Sequence, residues 1–420
     1  MAEVLPLRAL HYDLDVVGAL GDVLAPPYDV IDPAQREALA GRSPFNVVRV
    51  DLPQADGDPY AHAGAEWARW QLQGAVIRDA DPAVWALAQA FTAPDGRRLT
   101  RRGLLTRVRV TDYGPGAIRP HERTHPGPRE DRLRLTRATR TNLSPIFSLY
   151  DDPARVAWGA VDALTDAAPW GEATDDEGTT HRLWRIADPV AIAEVQQALS
   201  AAELLIADGH HRYETARVYA EEIGGEGDHR YVLMCLVALQ DPGLAVFPTH
   251  RLVGGLRDDP GRQEALAATL REHFHLEPIE HDQLAPPPGD GPLCFGYVDA
   301  HFRRAFRCTL KDQAIADAAL PGQPAAYRTL DTAVLEALIL QGPLALSEDD
   351  ISHLNGLGYS RTDAEALELV LDGTYDAAFF LRPTPIEQVR AIAAAGVNMP
   401  PKSTFFHPKV PTGLLFNSLG

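Results

Sequence analysis

Cysteine is scarce in this chain of 420 residues, which has only three: Cys235, Cys294 and Cys308. They are too few and too widely spaced for a disulfide framework or a cysteine metal cage. A reducing compartment therefore fits the sequence best.

Lysine is equally scarce, because arginine supplies 36 of the 39 basic residues. The only lysines are Lys311, Lys402 and Lys409. A compositional preference for arginine explains this simply. Two of the three nevertheless lie close together near the C-terminus, which points weakly to a site there.

Long hydrophobic runs are missing as well. The longest apolar run, residues 231–239, is about half of the ~20 residues that a membrane-spanning helix needs. The first residues show no basic region followed by an apolar stretch, so we expect no signal peptide. The sequence therefore predicts a cytoplasmic protein without a membrane partner.

Acidic residues outnumber basic ones by 58 to 39, which gives a formal net charge of −19. Nucleic acid would be repelled over most of such a surface and is not expected as a partner, although local basic patches remain open. Homo-oligomerisation is left open too.

The length predicts two or three domains at ~150 residues each, and 45% hydrophobic residues are enough to build cores. We expect an N-terminal α+β subdomain over residues 1–115 and a catalytic core over residues 116–255. A C-terminal α+β subdomain, residues 256–420, would contribute the lysine-bearing tail. Helical and strand patterns interleave without a clean βαβ series, so the predicted fold class is α+β.

Several elements follow from the local patterns. The runs 84–91 and 99–110 flank Pro-Asp-Gly and predict a β-hairpin, and residues 47–52 are rich in strand-forming side chains. Residues 114–144 lose apolar periodicity and gain proline, glycine and arginine, which predicts a long ordered loop. Residues 204–207, 211–222 and 231–239 predict a strand, a helix and a buried strand.

The most informative stretch is LLIADGHHRYETA, residues 204–216, where an apolar strand runs through Asp208 and Gly209 into a helix. Free N–H groups at a helix start, a glycine that admits a close ligand and Arg212 one turn later together favour an anion such as phosphate. Asp208 would either cap the helix or hold a divalent cation. The alternative is an ordinary capped helix with two surface histidines.

A second stretch contains His121-Glu122-x-x-His125, the pattern of a zinc peptidase. That pattern requires one continuous helix, whereas Pro126 directly follows the second histidine and disfavours helical geometry there. We therefore reject a zinc site. Glu122 is then either a general base on a loop or a solvated acid.

Two further segments carry cations. Residues 396–403 imitate a phosphate-binding P-loop, but Pro400 and Pro401 remove two N–H donors, which leaves Lys402 as a point charge for an anion or a tail stabilised by aromatic packing. The run 129–142 places Arg132, Arg134, Arg137 and Arg140 within nine residues, and these either grip nucleotide phosphates or form a solvated helix face.

Six segments together resemble one family. They are APPYDVI (25–31), HERTHPGPREDRL (121–133), NLSPIF (142–147), ADGHHRYETA (207–216), PTHR (248–251) and MPPKSTFFHPK (399–409). Their order and spread over nearly the whole chain resemble the bacterial and archaeal family catalogued as domain of unknown function 1015. That name discloses no activity.

The Gly-x-His-Arg corner is also similar to that of sulfiredoxin, ParB-type CTPases and archaeal free-serine kinases. This implies a ParB/sulfiredoxin-like catalytic core, with Mg²⁺ and ATP or ADP as cofactors and CTP as a variant. By resemblance, Glu122, Asp208 and His210 would be catalytic, with Asp208 also holding the metal. No cysteine precedes the His-Arg pair, so thiol chemistry is not expected.

The remaining site residues are implied in the same way. The nucleotide phosphates would meet Gly209, His211, Arg212, Thr215, Arg132, Arg137 and Lys402. The acceptor, free L-serine or a similar hydroxyl metabolite, would meet Tyr28, Asp29, His121, Asn142, Ser144, His250 and Arg251. The Pro-His-Glu and Asp-Gly-His-His-Arg segments lie further apart than in the compact kinases, so an inserted subdomain is required.

Two rival interpretations stay open. A nucleotide-gated regulatory or binding module would keep the nucleotide pocket without phosphoryl transfer. A metabolic scaffold would bind no nucleotide at all.

Overall fold

A computed structural model describes residues 2–122, 126–287, 289 and 291–420 of the chain. The chain divides into two compact units: unit 1 comprises Met1–Pro120, Thr124–Leu244 and Pro408–Gly420, and unit 2 comprises His121–Arg123 and Ala245–His407. The predicted mixture of helices and strands is confirmed, whereas the three-domain division and the ParB/sulfiredoxin-like core stay predictions. Within the described ranges, no helix has both the length and the apolar character needed to cross a membrane.

Unit 1 contains most of the strands. They are β1 (Val4–Leu5), β2 (Leu10–Tyr12), β3 (Val76–Arg78), β4 (Val84–Thr92), β5 (Arg98–Arg109), β6 (Ile118–Arg119), β7 (Thr141–Asn142), β8 (Ile146–Tyr150), β9 (Gly171–Thr174), β10 (Thr180–Ile186), β11 (Leu204–Asp208), β12 (Tyr231–Ala238) and, near the C-terminus, β21 (Asn417–Ser418). Its helices are α1 (Leu14–Val17), α2 (Leu20–Val23), α3 (Pro33–Arg42), α4 (Val48–Asp51), α5 (Pro59–Leu72), α6 (Pro126–Thr139), α7 (Val156–Asp162), α8 (Pro189–Leu199) and α9 (His210–Ile223).

The main sheet of unit 1 has nine strands, in the order β6-β11-β8-β12-β5-β4-β10-β9, with β1 beside β5. Strand β8 lies antiparallel to β11 and parallel to β12, and all five of its residues are buried. The register of β11 against β8 shifts between Ile206 and Asp208. This irregularity marks the point where the chain leaves the sheet and enters α9.

The sequence predicted this sheet well where apolar runs are flanked by turn residues. Strands β4 and β5 form the expected hairpin, with Phe91 opposite Leu99. The strand–helix–strand series predicted over residues 204–239 is also confirmed as β11, α9 and β12.

Two predictions for unit 1 were wrong. The expected loop 114–144 contains α6, because its proline and glycine occupy only the first turn, where proline is favoured. Arginine and leucine then propagate the helix, and Leu133 and Leu135 are buried. The strand expected over residues 47–52 is helix α4, and the Val48 N–H in its first turn donates to Asn46 Oδ1 at 3.0 Å.

Unit 2 contains the remaining helices and a smaller sheet. Its strands are β13 (Ala245–Phe247), β14 (His250–Val253), β15 (Phe274–Ile279), β16 (Cys294–Asp299), β17 (Ala305–Leu310), β18 (Leu357–Ser360), β19 (Ala377–Phe380) and β20 (Phe405–His407). Its helices are α10 (Pro260–His273), α11 (Gln313–Ala319), α12 (Ala325–Arg328), α13 (Asp331–Leu335), α14 (Glu348–His353), α15 (Asp363–Leu371) and α16 (Ile386–Ala394).

The main sheet of unit 2 has six strands, in the order β15-β17-β16-β19-β14-β18. Alternate residues of β19 belong to different hydrophobic clusters: Ala377 and Phe379 to one, Ala378 and Phe380 to the other. Side chains alternate between the faces of a strand, so this sheet is covered on both faces. Strand β13 pairs separately with β20, which orders part of the tail.

Candidate functional site

The predicted phosphate corner lies in unit 1, where β11 ends at Asp208 and α9 begins at His210. Gly209 joins them in a left-handed conformation with φ +96°. A Cβ atom at this position would lie 2.9 Å from Arg212 Nη2. Both the backbone and the neighbouring guanidinium therefore require glycine.

Asp208 is surrounded by cations. Its Oδ1 lies 3.3 Å from Lys409 Nζ, and its Oδ2 lies 3.3 Å from Arg212 Nη2. Burial opposes ionisation, but Lys409, Arg212 and His210 outweigh it and hold the pKa of the Asp208 carboxyl well below its usual value. One carboxylate thus faces two permanent cations and a histidine. Positive charge exceeds negative charge at this corner, which favours a further anion.

Arg212 is fixed by neutral oxygen atoms as well as by Asp208. Its Nη1 donates to Ser144 Oγ at 2.6 Å and to the Pro145 carbonyl. Its Nε is buried and has no hydrogen-bond partner among the described residues. The guanidinium is therefore held in place while one donor stays unused, which is costly unless an acceptor reaches it.

A third strong cation, Arg101, lies in the same electrostatic environment. Its Nε donates to Gln89 Oε1 at 3.1 Å, and Gln89 Nε2 donates to the Lys409 carbonyl at 2.9 Å. Burial lowers the pKa of Arg101 to about 10, although charges that include Asp208 oppose the shift. Arg101 therefore stays protonated at neutral pH and adds positive charge behind the corner.

A buried polar layer connects α6 with this corner. Arg132 Nη1 lies 2.8 Å from Asp51 Oδ1, and its guanidinium stacks 4.2 Å above the Tyr28 ring. Burial and Asp29 raise the pKa of Tyr28 to about 12 against the opposing effect of Arg132. Tyr28 is therefore a neutral phenol at physiological pH.

A small cavity of about 40 Å³ lies in this layer, lined in part by Tyr28, Arg132, Asn142, Arg212 and Thr215. Ligand pockets typically enclose ~300–1,000 Å³, so no nucleotide fits inside it. The residues of this layer therefore pack beside Arg212 and have a structural role at the corner.

Four other predicted residues of unit 1 contact protein groups or solvent, and two of them, Asn142 and Thr215, also line this small cavity. Asn142 Oδ1 accepts from the Leu233 N–H at 3.1 Å, which joins two parts of the fold. Thr215 Oγ1 donates to the Arg129 carbonyl at 3.4 Å. Asp29 is exposed, and the half-exposed Arg137 pairs with Glu222 at 2.8 Å, as expected for the solvated-face interpretation. Their predicted ligand contacts stay predictions.

The remaining predicted residues belong to unit 2. His121 is fully buried, with Nε2 3.0 Å from Thr404 Oγ1, and its carbonyl accepts from the Met399 N–H at 2.7 Å. Glu122, half-buried, follows it. The hydrogen bonds of His121 thereby attach the Pro-His-Glu segment to the tail that contains Lys402. The Lys402 side chain is exposed.

Arg251 holds the same tail through backbone carbonyls. Its Nη1 donates to Thr249 O at 2.6 Å and to Lys402 O at 3.1 Å, and its Nη2 donates to Pro401 O at 3.1 Å. Burial lowers the pKa of Arg251, whereas the charges of Tyr359, Glu336 and Glu122 act in the opposite direction. Glu122 is therefore one of three groups of unit 2 whose negative charge acts on Arg251.

His250 is also buried in unit 2. Its Nδ1 accepts from the Leu381 N–H at 3.2 Å, so the neutral ring carries its proton on Nε2. That Nε2 lies 2.9 Å from Asp363 Oδ1, although the angle does not make a hydrogen bond. His125, the second histidine of the rejected zinc pattern, lies outside the described residues.

The structure thus sorts the predicted residues into two groups, one around Asp208 and Arg212 and one around Glu122 and Arg251. Sequence reasoning missed Lys409 and Arg101 at the first group. Two signals pointed to Lys409: the rarity of lysine and its place at the end of the motif MPPKSTFFHPK. A buried arginine within the regular strand β5 gave none.

A magnesium site was predicted at Asp208. In the part of the chain that the structure describes, no three or more His, Cys, Asp or Glu side chains are grouped so that they could hold a metal ion. A lone carboxylate suits Mg²⁺ only where substrate phosphates and water supply the other ligands. Both oxygens of Asp208 already face cations, Lys409 and Arg212, so a magnesium site at this carboxylate stays a prediction.

Several solved structures show loose similarity to this chain. A free serine kinase mutant in complex with AMP is 13% identical, with a TM-score of 0.36 over 69% of this chain and 83% of that one. SbnI with C-terminal truncation from Staphylococcus aureus is 11% identical, with a TM-score of 0.37 over 73% and 85%. A conserved hypothetical protein from Pyrococcus furiosus is 14% identical, with a TM-score of 0.35 over 70% and 89%. Similarity this weak transfers no function.

No curated protein matches the chain. The model of a protein family of unknown function, DUF1015, matches residues 4–333, which is more than three quarters of the sequence. The chain therefore belongs to the DUF1015 family, as its motifs indicate.

Proposed function

We propose that this protein is a Mg²⁺-dependent small-molecule kinase, which moves a phosphoryl group from ATP or ADP to a hydroxyl acceptor such as free L-serine. The observation that supports the proposal most is the cationic corner of unit 1. There, Arg212 and Lys409 both contact Asp208, at the first turn of α9.

The chemistry of phosphoryl transfer suits such a corner, because catalysis depends on positioning and on stabilising charge. Arg212, His210, His211 and the N–H groups of the first turn of α9 would contact the phosphate oxygens. Asp208 would hold Mg²⁺, which neutralises phosphate charge when it is bound with the nucleotide.

The acceptor hydroxyl must lose a proton as it attacks. We assign the general base to Glu122, which would take this proton while the acceptor oxygen bonds to phosphorus and the bond to the nucleotide leaving oxygen breaks. This assignment rests on the resemblance of the Pro-His-Glu segment to that of free-serine kinases.

A second candidate is a nucleotide-binding module without transfer. It is favoured by one observation: the corner with Asp208, Arg212 and Lys409 is formed within unit 1, whereas Glu122 belongs to unit 2. Phosphate binding therefore needs no contribution from Glu122.

One experiment separates the two candidates. The protein is incubated with ATP, ADP or CTP, Mg²⁺ and a panel of hydroxyl amino acids that includes L-serine, and phosphorylated product is sought by mass spectrometry. The kinase proposal predicts a phosphorylated amino acid. Nucleotide binding or hydrolysis without that product would refute it and leave the binding module.

A scaffold that binds no nucleotide predicts no thermal stabilisation by any of them. By contrast, a ligand present at 100 times its dissociation constant adds ~2.7 kcal/mol to the free energy of unfolding. A shift in melting temperature measures that difference directly.

A further inference from the structure

Unit 2 contains a cavity of about 760 Å³, separate from the residues discussed above. Its lining comes from α10, from β15, β16 and β17, and from the turn 299–304. The apolar lining residues include Leu266, Leu270, Leu276, Tyr297 and Phe306. This volume lies within the ~300–1,000 Å³ range of small-molecule pockets.

Large apolar side chains at the cavity stay in contact with solvent. Phe302 is 71% exposed and Leu276 is 37% exposed. Covering such side chains with an apolar ligand removes their surface from water and stabilises the complex. The cavity therefore favours a ligand with an apolar body.

The same cavity is rich in arginine. Its lining includes Arg257, Arg271, Arg303 and Arg304, against two carboxylates, Asp299 and Asp376. This local excess of positive charge stands out in a chain of net charge −19.

Backbone groups already occupy both carboxylates. Asp299 Oδ1 accepts from the N–H of His301 at 3.0 Å and of Phe302 at 2.7 Å. Asp376 Oδ2 accepts from the Leu256 N–H at 2.8 Å, while its Oδ1 lies 3.3 Å from Arg257. Their charge is thus directed partly into the protein, and the arginines dominate at the cavity.

We propose that this cavity binds a small amphipathic anion, consisting of an apolar body with one carboxylate, as in a medium-chain fatty acid. Leu266, Leu270 and Phe306 would contact the apolar body. The carboxylate would meet Arg271 or Arg304, because arginine matches carboxylate geometry. The proposal concerns unit 2 alone and stands or falls independently of the kinase proposal.

A pair of probes of equal chain length tests the charge preference. The full-length protein is titrated calorimetrically with decanoate and with decyltrimethylammonium. Decanoate should bind saturably and at least about tenfold more tightly than the cation, a difference of about 1.4 kcal/mol. Equal binding of both probes, or no binding of decanoate, would overturn the proposal.

Two neighbouring alanines of α10 test the location. Ala267 lines the cavity, whereas Ala268 is exposed and does not. Ala267→Phe should fill the cavity and weaken decanoate binding at least about tenfold, while Ala268→Phe, the same change one residue away, leaves it unchanged. Unaltered binding in Ala267→Phe would place the ligand elsewhere and refute the site.

A third variant keeps the test decisive if Ala267→Phe fails to fold. Arg271 and Arg304 are exposed, so replacing both with Gln should preserve the fold. Decanoate should then bind about tenfold more weakly and decyltrimethylammonium no more weakly than before. Arg390→Gln, on the exposed face of α16, is the matched control, and decanoate affinity equal to that of this control would contradict the proposal.

Discussion

The two units each hold an arginine in place, but in different ways. In unit 1, Arg212 contacts the carboxylate of Asp208 and keeps its buried Nε without a hydrogen-bond partner among the described residues. In unit 2, Arg251 donates to three backbone carbonyls, those of Thr249, Pro401 and Lys402.

This difference separates a binding arrangement from a supporting one. Arg251 stabilises one conformation of the tail, because its donors are directed to main-chain oxygens. Arg212 shares its carboxylate with Lys409, so positive charge exceeds negative charge at its corner. Arg251 therefore fits a structural role, and Arg212 fits the recognition of an anion.

The largest expected effect comes from the unit 2 group. Glu122→Gln should reduce turnover by about 10²–10⁴-fold, because it removes the proton acceptor and retains the size of the side chain. Turnover is measured from phosphorylated amino acid, and nucleotide affinity from melting shifts. Loss of nucleotide binding along with turnover would instead assign Glu122 a structural role.

The next prediction concerns nucleotide affinity. Arg212→Ala should weaken ATP binding by about 2–5 kcal/mol, since it removes a partly buried charge that would face the phosphate. The matched control is Arg217→Ala on the same helix, whose side chain pairs with Glu214 and Asp112. Calorimetric titration should find near-normal ATP affinity in Arg217→Ala. Equal losses of ATP affinity in both variants would contradict a specific role of Arg212 in phosphate binding.

A glycine pair then separates backbone strain from steric conflict. Gly209→Ala and Gly18→Ala both place alanine at positive φ, +96° and +83°, which costs about 1–2 kcal/mol. Only at position 209 does the new Cβ approach the guanidinium of Arg212. Urea denaturation should show the larger loss for Gly209→Ala, and ATP affinity should fall in that variant alone.

The smallest effect is a dependence of stability on pH. The folded-state pKa of Asp208 lies below its unfolded value of 3.8, so the carboxylate contributes stability that is fully present above about pH 4 and is lost as the pH falls toward the lowered pKa. Asn at this position does not titrate. The difference in unfolding free energy between wild type and Asp208→Asn should therefore shrink below about pH 4, and a difference that stays constant with pH would contradict the electrostatic account.

Local patterns predicted the frame of the corner because its determinants are local. The sequence shows an apolar run, then Asp-Gly, then a helical pattern. This order is sufficient to predict β11 and α9 with Gly209 between them. Gly209 and Arg212 contact each other within a single turn, so the sequence displays both of them together.

The remaining contacts depend on long-range packing, which no local pattern contains. Lys409 reaches Asp208 from 201 positions further along the chain. Arg101 is buried in β5. From sequence alone a charged side chain is expected to be exposed, because its hydrogen-bond partner Gln89 becomes apparent only in the structure. The sequence predicted a loop where α6 lies, because proline and glycine in its first turn are typical of loops. The helix is stabilised by the buried Leu133 and Leu135, whose burial depends on packing with other parts of the chain.

The central claim is that the corner of Asp208, Gly209 and Arg212 recognises phosphate. Calorimetric titration of the full-length protein with ATP plus Mg²⁺ and with adenosine tests it most directly, because the two ligands share a nucleoside and differ in phosphate. Phosphate recognition predicts saturable ATP binding at least about tenfold tighter than adenosine binding, which corresponds to about 1.4 kcal/mol. Equal affinities, or no binding of ATP, would contradict it.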